Sequence, residues 1–335
     1  MWAESLLSMK IDPAATIADS STTLVGVNHI GLSVVDLDSL LAFYQGVSGF
    51  QLVRRERVSD NPAADTLYGR AGVEYEIAVL KAPNMLFELI EFKHNAGEVP
   101  QRMPPQGPGM THTCFQTASA DSGYERFRNA GAEVLSRGGS PVDLGGYGVT
   151  YAYAYDGEGN MFEMEQLDAE PLSAVPSKGR WISEGHSMWM TQVALVTHDL
   201  ERLTDWYQGI MGFAPHRSGE FTGHPRMEDI VDVDGLSLKA SWFKVDQTCK
   251  TLEIWQYLNP QTQERRETPD VTAPGYCFSL EVRDIQQEYE RMKALGVDFL
   301  SEPVLLDDCW QVYAHDIDGN AFSLRQWVDG SPATQ

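Results

Sequence analysis

The chain has 335 residues, 42% of them hydrophobic, which suits two domains of about 150 residues with real cores. Its 48 acidic and 25 basic residues leave a net charge of −23, which repels phosphate backbones and anionic lipid surfaces and so argues against nucleic-acid or membrane-surface partners. No stretch approaches the roughly 18 unbroken apolar residues of a membrane span, and the opening run MWAESLLSMKIDPAATIADSSTT, broken by Glu4 and Lys10, lacks the layout of a signal peptide.

In chain order, an N-terminal arm of residues 1–23 precedes Val25–Val34, an apolar, β-branched run that reads as a strand. Asp36 or Asp38 can cap the helix that follows, in which Leu40, Leu41, Phe43 and Tyr44 fall at helical spacing and which Gly46 and Gly49 end. Strands are expected at 51–58, 74–82 and 85–92. A second unit opens with a strand at 111–117. A helix at 121–130 follows, with Tyr124 and Phe127 on one face and Gly131 closing it, then strands near 132–136, 149–155 and 160–166. Both units read βαβββ. Loops 59–73 and 93–109 are longer than the links around them and are expected to act as lids.

Residues 169–187, rich in Pro, Ser and Gly, read as a linker, and beyond it the pattern returns. Phe43-Tyr44-Gln45-Gly46 and Ser48-Gly49-Phe50 recur as Trp206-Tyr207-Gln208-Gly209 and Met211-Gly212-Phe213. Tyr124-Glu125-Arg126 recurs as Tyr289-Glu290-Arg291, and Asp156-Gly157-Glu158-Gly159-Asn160 as Asp316-Ile317-Asp318-Gly319-Asn320. Three blocks in the same order, each about 160 residues on, mark a tandem duplication. The halves are 24–168 and 188–330, with helices of the second near 199–209 and 284–295. Four βαβββ units predict an α+β fold rather than a doubly wound sheet. Cys114, Cys249, Cys277 and Cys309 stand far apart with no Cys-x-x-Cys pair, which predicts free thiols in a reducing cytoplasm.

In the first half, metal-capable side chains occupy matching places. His29 and His112 lie in the first strands of the two units, and Glu88 and Glu163 in their last strands. If the units pack about a pseudo-twofold axis, the four converge, and two imidazoles with two carboxylates suit a divalent ion such as Zn, Fe, Mn, Co or Ni. Glu165 shares a face with Glu163 and offers a competing register. By the repeat, His29 maps to Gln192, Glu88 to Glu253, His112 to Cys277 and Glu163 to Ser323. Cys277 and Ser323 complete a ligand set poorly, so the second half is expected to be metal-free, with a structural or gating role.

The segments His29-Ile30-Gly31-Leu32-Ser33-Val34, Ala42-Phe43-Tyr44 leading to Gly49-Phe50, and Asp156-x-x-Gly159-Asn160-x-Phe162-Glu163 resemble the vicinal oxygen chelate (VOC) superfamily. That superfamily includes glyoxalase I, methylmalonyl-CoA epimerase, extradiol dioxygenases and fosfomycin or bleomycin resistance proteins. The resemblance covers nearly all of residues 24–330. It implies paired βαβββ units forming an open, cup-shaped mixed barrel around one metal, with His29, Glu88, His112 and Glu163 at its four ligand positions. Ser33 stands where the glyoxalase I group has the arginine used for glutathione. The epimerases have Gln where Glu88 stands.

The chemistry the resemblance implies is Lewis-acid catalysis on a chelated small substrate, of isomerase, lyase or epimerase type, with Glu163 or Glu88 as the base. An Fe(II) extradiol-type dioxygenase using His29, His112 and Glu163, and a small-molecule-sequestering resistance protein, are the alternatives. Tyr151 and Tyr153, in a series with Tyr147 and Tyr155, are candidate substrate contacts, as is Arg54 beside Arg55 and Arg57. A monomer or homodimer in the cytoplasm is expected.

Overall fold

A computed structural model describes residues 10–11, 22–98, 101–146, 148–168, 176–246 and 250–330. Most of the expected arm, the first part of the linker, Tyr147 and Cys249 lie outside the described residues. After β1 (Lys10–Ile11), quarter one comprises β2 (Leu24–Val34), α1 (Leu37–Ser48), β3 (Gln51–Val58), α2 (Pro62–Leu67), β4 (Tyr75–Lys81) and β5 (Leu86–Phe92). Quarter two comprises β6 (Gly109–His112), β7 (Cys114–Ala118), α3 (Gly123–Asn129), β8 (Glu133–Val134), β9 (Val142–Asp143), β10 (Val149–Tyr155) and β11 (Met161–Leu167). The linker contains α4 (Pro176–Ser183). Quarter three comprises β12 (Trp189–Met190), β13 (Gln192–Val196), α5 (Leu200–Met211), β14 (Arg217–Thr222), α6 (Pro225–Val231), β15 (Ser237–Lys244) and β16 (Thr251–Asn259). Quarter four comprises β17 (Gly275–Val282), α7 (Ile285–Ala294), β18 (Asp298–Phe299), β19 (Val304–Leu306), β20 (Cys309–His315) and β21 (Ala321–Trp327). This is the α+β, four-unit βαβββ architecture the repeat implies.

The repeated helices start and stop by the same chemistry. Asp36 accepts from the Ser39 N–H at the start of α1, and Asp199 from the Arg202 N–H at the start of α5. Gly49 and Gly212 take left-handed φ values of 71° and 76° at their ends, which glycine adopts without a Cβ penalty. Gly46 does not stop α1 but lies inside it.

The sheets do not respect the halves. β2 of quarter one pairs antiparallel with β17 of quarter four, giving one sheet ordered β18-β20-β21-β17-β2-β5-β4-β3. β6 of quarter two pairs with β13 of quarter three, and β7 with β12. Thr113, between β6 and β7, is where that strand passes from one sheet to the next; its hydroxyl donates to the Gln192 carbonyl at 2.8 Å. We call quarters one and four the first cup, and quarters two and three the second. The helix layer does the opposite and ties each half together. The Tyr44 hydroxyl of α1 donates to Asp156 in quarter two at 2.7 Å, and the Tyr207 hydroxyl of α5 to Asp316 in quarter four at 2.8 Å. A single hydrophobic cluster, with Tyr44, Phe87, Phe115, Phe162, Leu203, Phe243, Phe278 and Phe322, runs through all four quarters.

Halves 24–168 and 188–330 therefore do not each close a cup of their own. All four units present equivalent first-strand edges, and strand periodicity fixes a unit without fixing which other unit it joins. Loop 59–73 also departs from expectation. It holds α2, whose Ala64 and Leu67, with Tyr68, are buried in the first cup against Tyr75, Phe92 and Tyr313. It is a plug rather than a lid. Among the described residues, no helix is long and apolar enough to cross a membrane.

Candidate functional site

Strand register decides which side chains meet. In the second cup, Ala194 of β13 is level with Glu253 of β16 on one side and with His112 of β6 on the other. Cys114 of β7 is level with Glu163 of β11. Gln192 sits two residues from Ala194 and so shares its face. His112, Glu163, Gln192 and Glu253, with Cys114 and Glu165, gather at the floor of this cup, all buried. The His112 Nε2 lies 3.9 Å from Glu163, and ligand atoms of Cys114, Glu163 and Glu165 lie within 4.8 Å of one another.

In the first cup, Gly31 of β2 is level with Glu88 of β5 and with Cys277 of β17, the same register. His29 lies 3.3 Å from Glu88. The expected set of His29, Glu88, His112 and Glu163 is thus split, two residues to each cup, because quarter one joins quarter four and quarter two joins quarter three. Gln192 and Glu253, expected to stand in a metal-free module, stand beside His112 and Glu163 instead. Their signal in the sequence was their repeat position, matching His29 and Glu88; what the sequence lacked was the partner of each unit.

The second cup crowds buried carboxyls together. Burial, then repulsion from Glu165 and Glu253, pushes the Glu163 carboxyl well above the usual range. Burial raises Glu253 to about 7 despite the opposing charge of Arg217. Burial alone lowers His112 to about 3, so its ring is neutral. The Thr111 hydroxyl lies 3.0 Å from the His112 Nδ1, which leaves Nε2 facing the carboxylates and the Tyr153 hydroxyl, 3.4 Å away. The buried Gln192 Oε1 has no hydrogen-bond partner. Neutral imidazole, crowded carboxylates and an unpaired amide oxygen are the donor chemistry of a divalent cation, which would offset the carboxylate repulsion and take the unpaired oxygen.

Above this floor opens a cavity of about 830 Å³ lined by Tyr151, Tyr153, Tyr257, Trp242, Trp255 and Phe221, with Arg217, Arg226 and His224 among its polar groups. The Arg217 guanidinium lies 3.9 Å from the centre of the Trp242 ring. Tyr151 and Tyr153, singled out in the sequence, are on this wall. Arg54 is not: it is ion-paired with Glu56 and Asp307 on the first cup's sheet. Arg55 pairs with Asp38 and Glu76, and Arg57 with Glu76.

The first cup does not fit a metal. Arg325 of β21 makes two hydrogen bonds to Glu88, at 2.6 and 3.0 Å, and all three of His29, Glu88 and Arg325 are buried. Burial raises the Glu88 carboxyl, but Arg325 and then His29 outweigh it and hold it at about 2. A carboxylate so held is neither an available ligand nor a base, which corrects the expected roles of Glu88. The remaining space, about 140 Å³ lined in part by Tyr68, Cys277 and Tyr313, leaves little room for a substrate.

Two paired βαβββ units per cup, with donors on the first and last strands, define a recognisable class of protein. The model of the Glyoxalase/Bleomycin resistance protein/Dioxygenase superfamily matches residues 26–164 and 189–324, and the chain belongs to that superfamily. Glyoxalase I from Zea mays superposes with a TM-score of 0.57 at 19% identity, over 90% of this chain and 92% of that one. A candidate dioxygenase from Bacillus subtilis superposes with a TM-score of 0.56 at 11% identity, over 91% and 86%. In sequence, an ethylmalonyl-CoA/methylmalonyl-CoA epimerase of Cereibacter sphaeroides is 25% identical over 146 residues, 42% of this chain and 97% of the epimerase.

Proposed function

We propose that the second cup is the active centre of a metal-dependent enzyme acting on a small oxygenated molecule by isomerase, lyase or epimerase chemistry. The observation that carries this reading is the donor set His112, Glu163, Gln192 and Glu253, with its unpaired Gln192 Oε1, on the floor of a cavity of about 830 Å³. These four would hold one divalent ion of the Zn, Fe, Mn, Co or Ni kind. When bound, the ion supplies Lewis-acid polarisation of the substrate's oxygens.

The protein's own groups do the rest. Glu163, whose carboxyl is held high, is suited to take a proton from a carbon next to a polarised carbonyl and to return it. Glu253, raised to about 7, is a second carboxyl suited to hold a proton, a role the sequence did not suggest. The indoles and phenols of Trp242, Trp255, Tyr151 and Tyr257 pack the substrate's flat or apolar body and exclude water. Arg217, held over Trp242 and facing the cavity, orients a negative end of the substrate.

One observation favours a second reading, ring cleavage of a catechol by an Fe(II) form: the cavity wall carries the rings of Tyr151, Tyr153, Phe221, Trp242, Trp255 and Tyr257. Incubating the metal-loaded protein in D2O with 2-hydroxy and 2-oxo compounds, and in parallel with catechols under an oxygen electrode, separates the two. Deuterium incorporation without oxygen uptake is the expected result. Oxygen uptake on catechols establishes the second reading, and stoichiometric absence of any metal removes both.

A further inference from the structure

The two cups share one register, so their positions can be compared directly. Gly31, Glu88 and Cys277 of the first correspond to Ala194, Glu253 and His112 of the second. Ser279 is level with Ser323 as Cys114 is with Glu163. Two residues on, Arg325 of β21 holds the place of Glu165 of β11, a reversal of charge at a single site.

His29 remains set up as a ligand. Asn28 donates from Nδ2 to Glu281 at 3.1 Å, so its Oδ1 is the acceptor for the His29 Nδ1–H at 2.9 Å. That arrangement leaves a lone pair on Nε2. This atom is buried, has no hydrogen-bond partner, and faces the Glu88 carboxylate at 3.3 Å. A lone pair against a carboxylate is an arrangement a cation normally explains. Here the cation hydrogen-bonded to Glu88 is the Arg325 guanidinium, through both of its terminal nitrogens.

We infer that the first cup is a latent metal site whose cation place is filled by Arg325, so that removing this guanidinium opens a divalent-cation site at His29 and Glu88. Cys277, level with Gly31, lies on the same face of the sheet as His29 and Glu88. The closed cup then serves as structural core, with Ala64 and Leu67 of α2 and Tyr68 packed inside it. A chain with two equivalent cups thereby holds one open centre.

Equilibrium dialysis against Co(II), with metal measured by mass spectrometry, tests this in the full chain. The variants are Arg325→Gln, which strips the cation, and the Glu88→Gln/Arg325→Gln pair, which removes both charges. Arg325→Gln is expected to bind one equivalent per chain more than the wild type and to gain several degrees in Tm on adding Co(II). The double variant is expected to fold without that extra equivalent. An Arg325→Gln protein with wild-type stoichiometry, one that stays unfolded at saturating Co(II), or a double variant that binds as much as the single one each overturns the inference. Because the readout is a difference between variants, it holds whether or not the second cup carries a metal.

Discussion

His112 and His29 are both buried first-strand histidines at matching repeat positions, yet they have opposite prospects. His112 faces Glu163, which has no ion pair with a Lys or Arg among the described residues; His29 faces Glu88, which Arg325 has already taken. His112→Ala is expected to lose the stoichiometric metal, whereas His29→Ala keeps it. Metal content of the two purified variants checks this, and a loss confined to His29→Ala would put the centre in the wrong cup. Without added cation, Arg325→Gln leaves Glu88 buried and unpaired, which costs about 3–5 kcal/mol in urea unfolding. Arg217→Met is expected to weaken binding of anionic aromatic ligands while sparing their neutral amides, read from quenching of Trp242 and Trp255 fluorescence. At this scale the sequence made the ligand-type residues legible through the repeat. It hid Arg325, because a strand arginine reads as surface until its partner across the sheet is known.

The D-x-x-G-N signature that helped reveal the family is a fastening device at the level of elements. The Asp156 Oδ1 accepts from the N–H groups of Glu158 and Asn160, and its Oδ2 takes the Tyr44 hydroxyl. Asp316 repeats this with Asp318, Asn320 and Tyr207. Each turn therefore latches the helix of one quarter to the last hairpin of the next. Tyr44→Phe and Tyr207→Phe should each cost about 1–3 kcal/mol, the range for a buried acceptor deprived of a partner, with metal content unchanged. Chemical denaturation of the two variants measures it; a loss of metal at either would mean that the latch also shapes the site. The long helices and the hairpins β4–β5 and β10–β11 were legible because apolar periodicity sets them. Helices α2 and α6 were not, being a single turn or two begun by Pro62 and Pro225 inside apparent loops. The break at Thr113 was equally hidden: the expected strand 111–117 is continuous in its pattern, and only the two sheets it serves divide it.

Across the whole molecule, helices keep the halves together and sheets exchange them, so the second cup spans the midpoint of the chain from Gly109 to Asn259, with β1 added at its β14 edge. A tandem repeat announces its units but not their pairing, which is why the expected centre lay in one half. The exchange also sets the pH response. Glu253 titrates near 7 when folded against an ordinary value of 4.5, so its contribution to stability is present below pH 4.5 and fades as pH rises through about 7. Glu163, raised for the same reason of burial and repulsion, acts in the same direction. A divalent ion replaces those protons, so the gain in Tm on adding Zn(II) to the apo protein should grow from pH 5 to pH 8. A gain that is flat or shrinks over that range would mean the carboxylates are not the ligands. The histidines act oppositely: His29 and His112, lowered from 6.5 to about 3, withdraw stability as pH falls below 6.5.

The proposed metal centre is assembled from quarters two and three. Anomalous diffraction from crystals of the Zn(II)-loaded protein locates it directly: the predicted result is one peak per chain bounded by His112, Glu163, Gln192 and Glu253, and a peak at His29 and Glu88 with none in the second cup would contradict it.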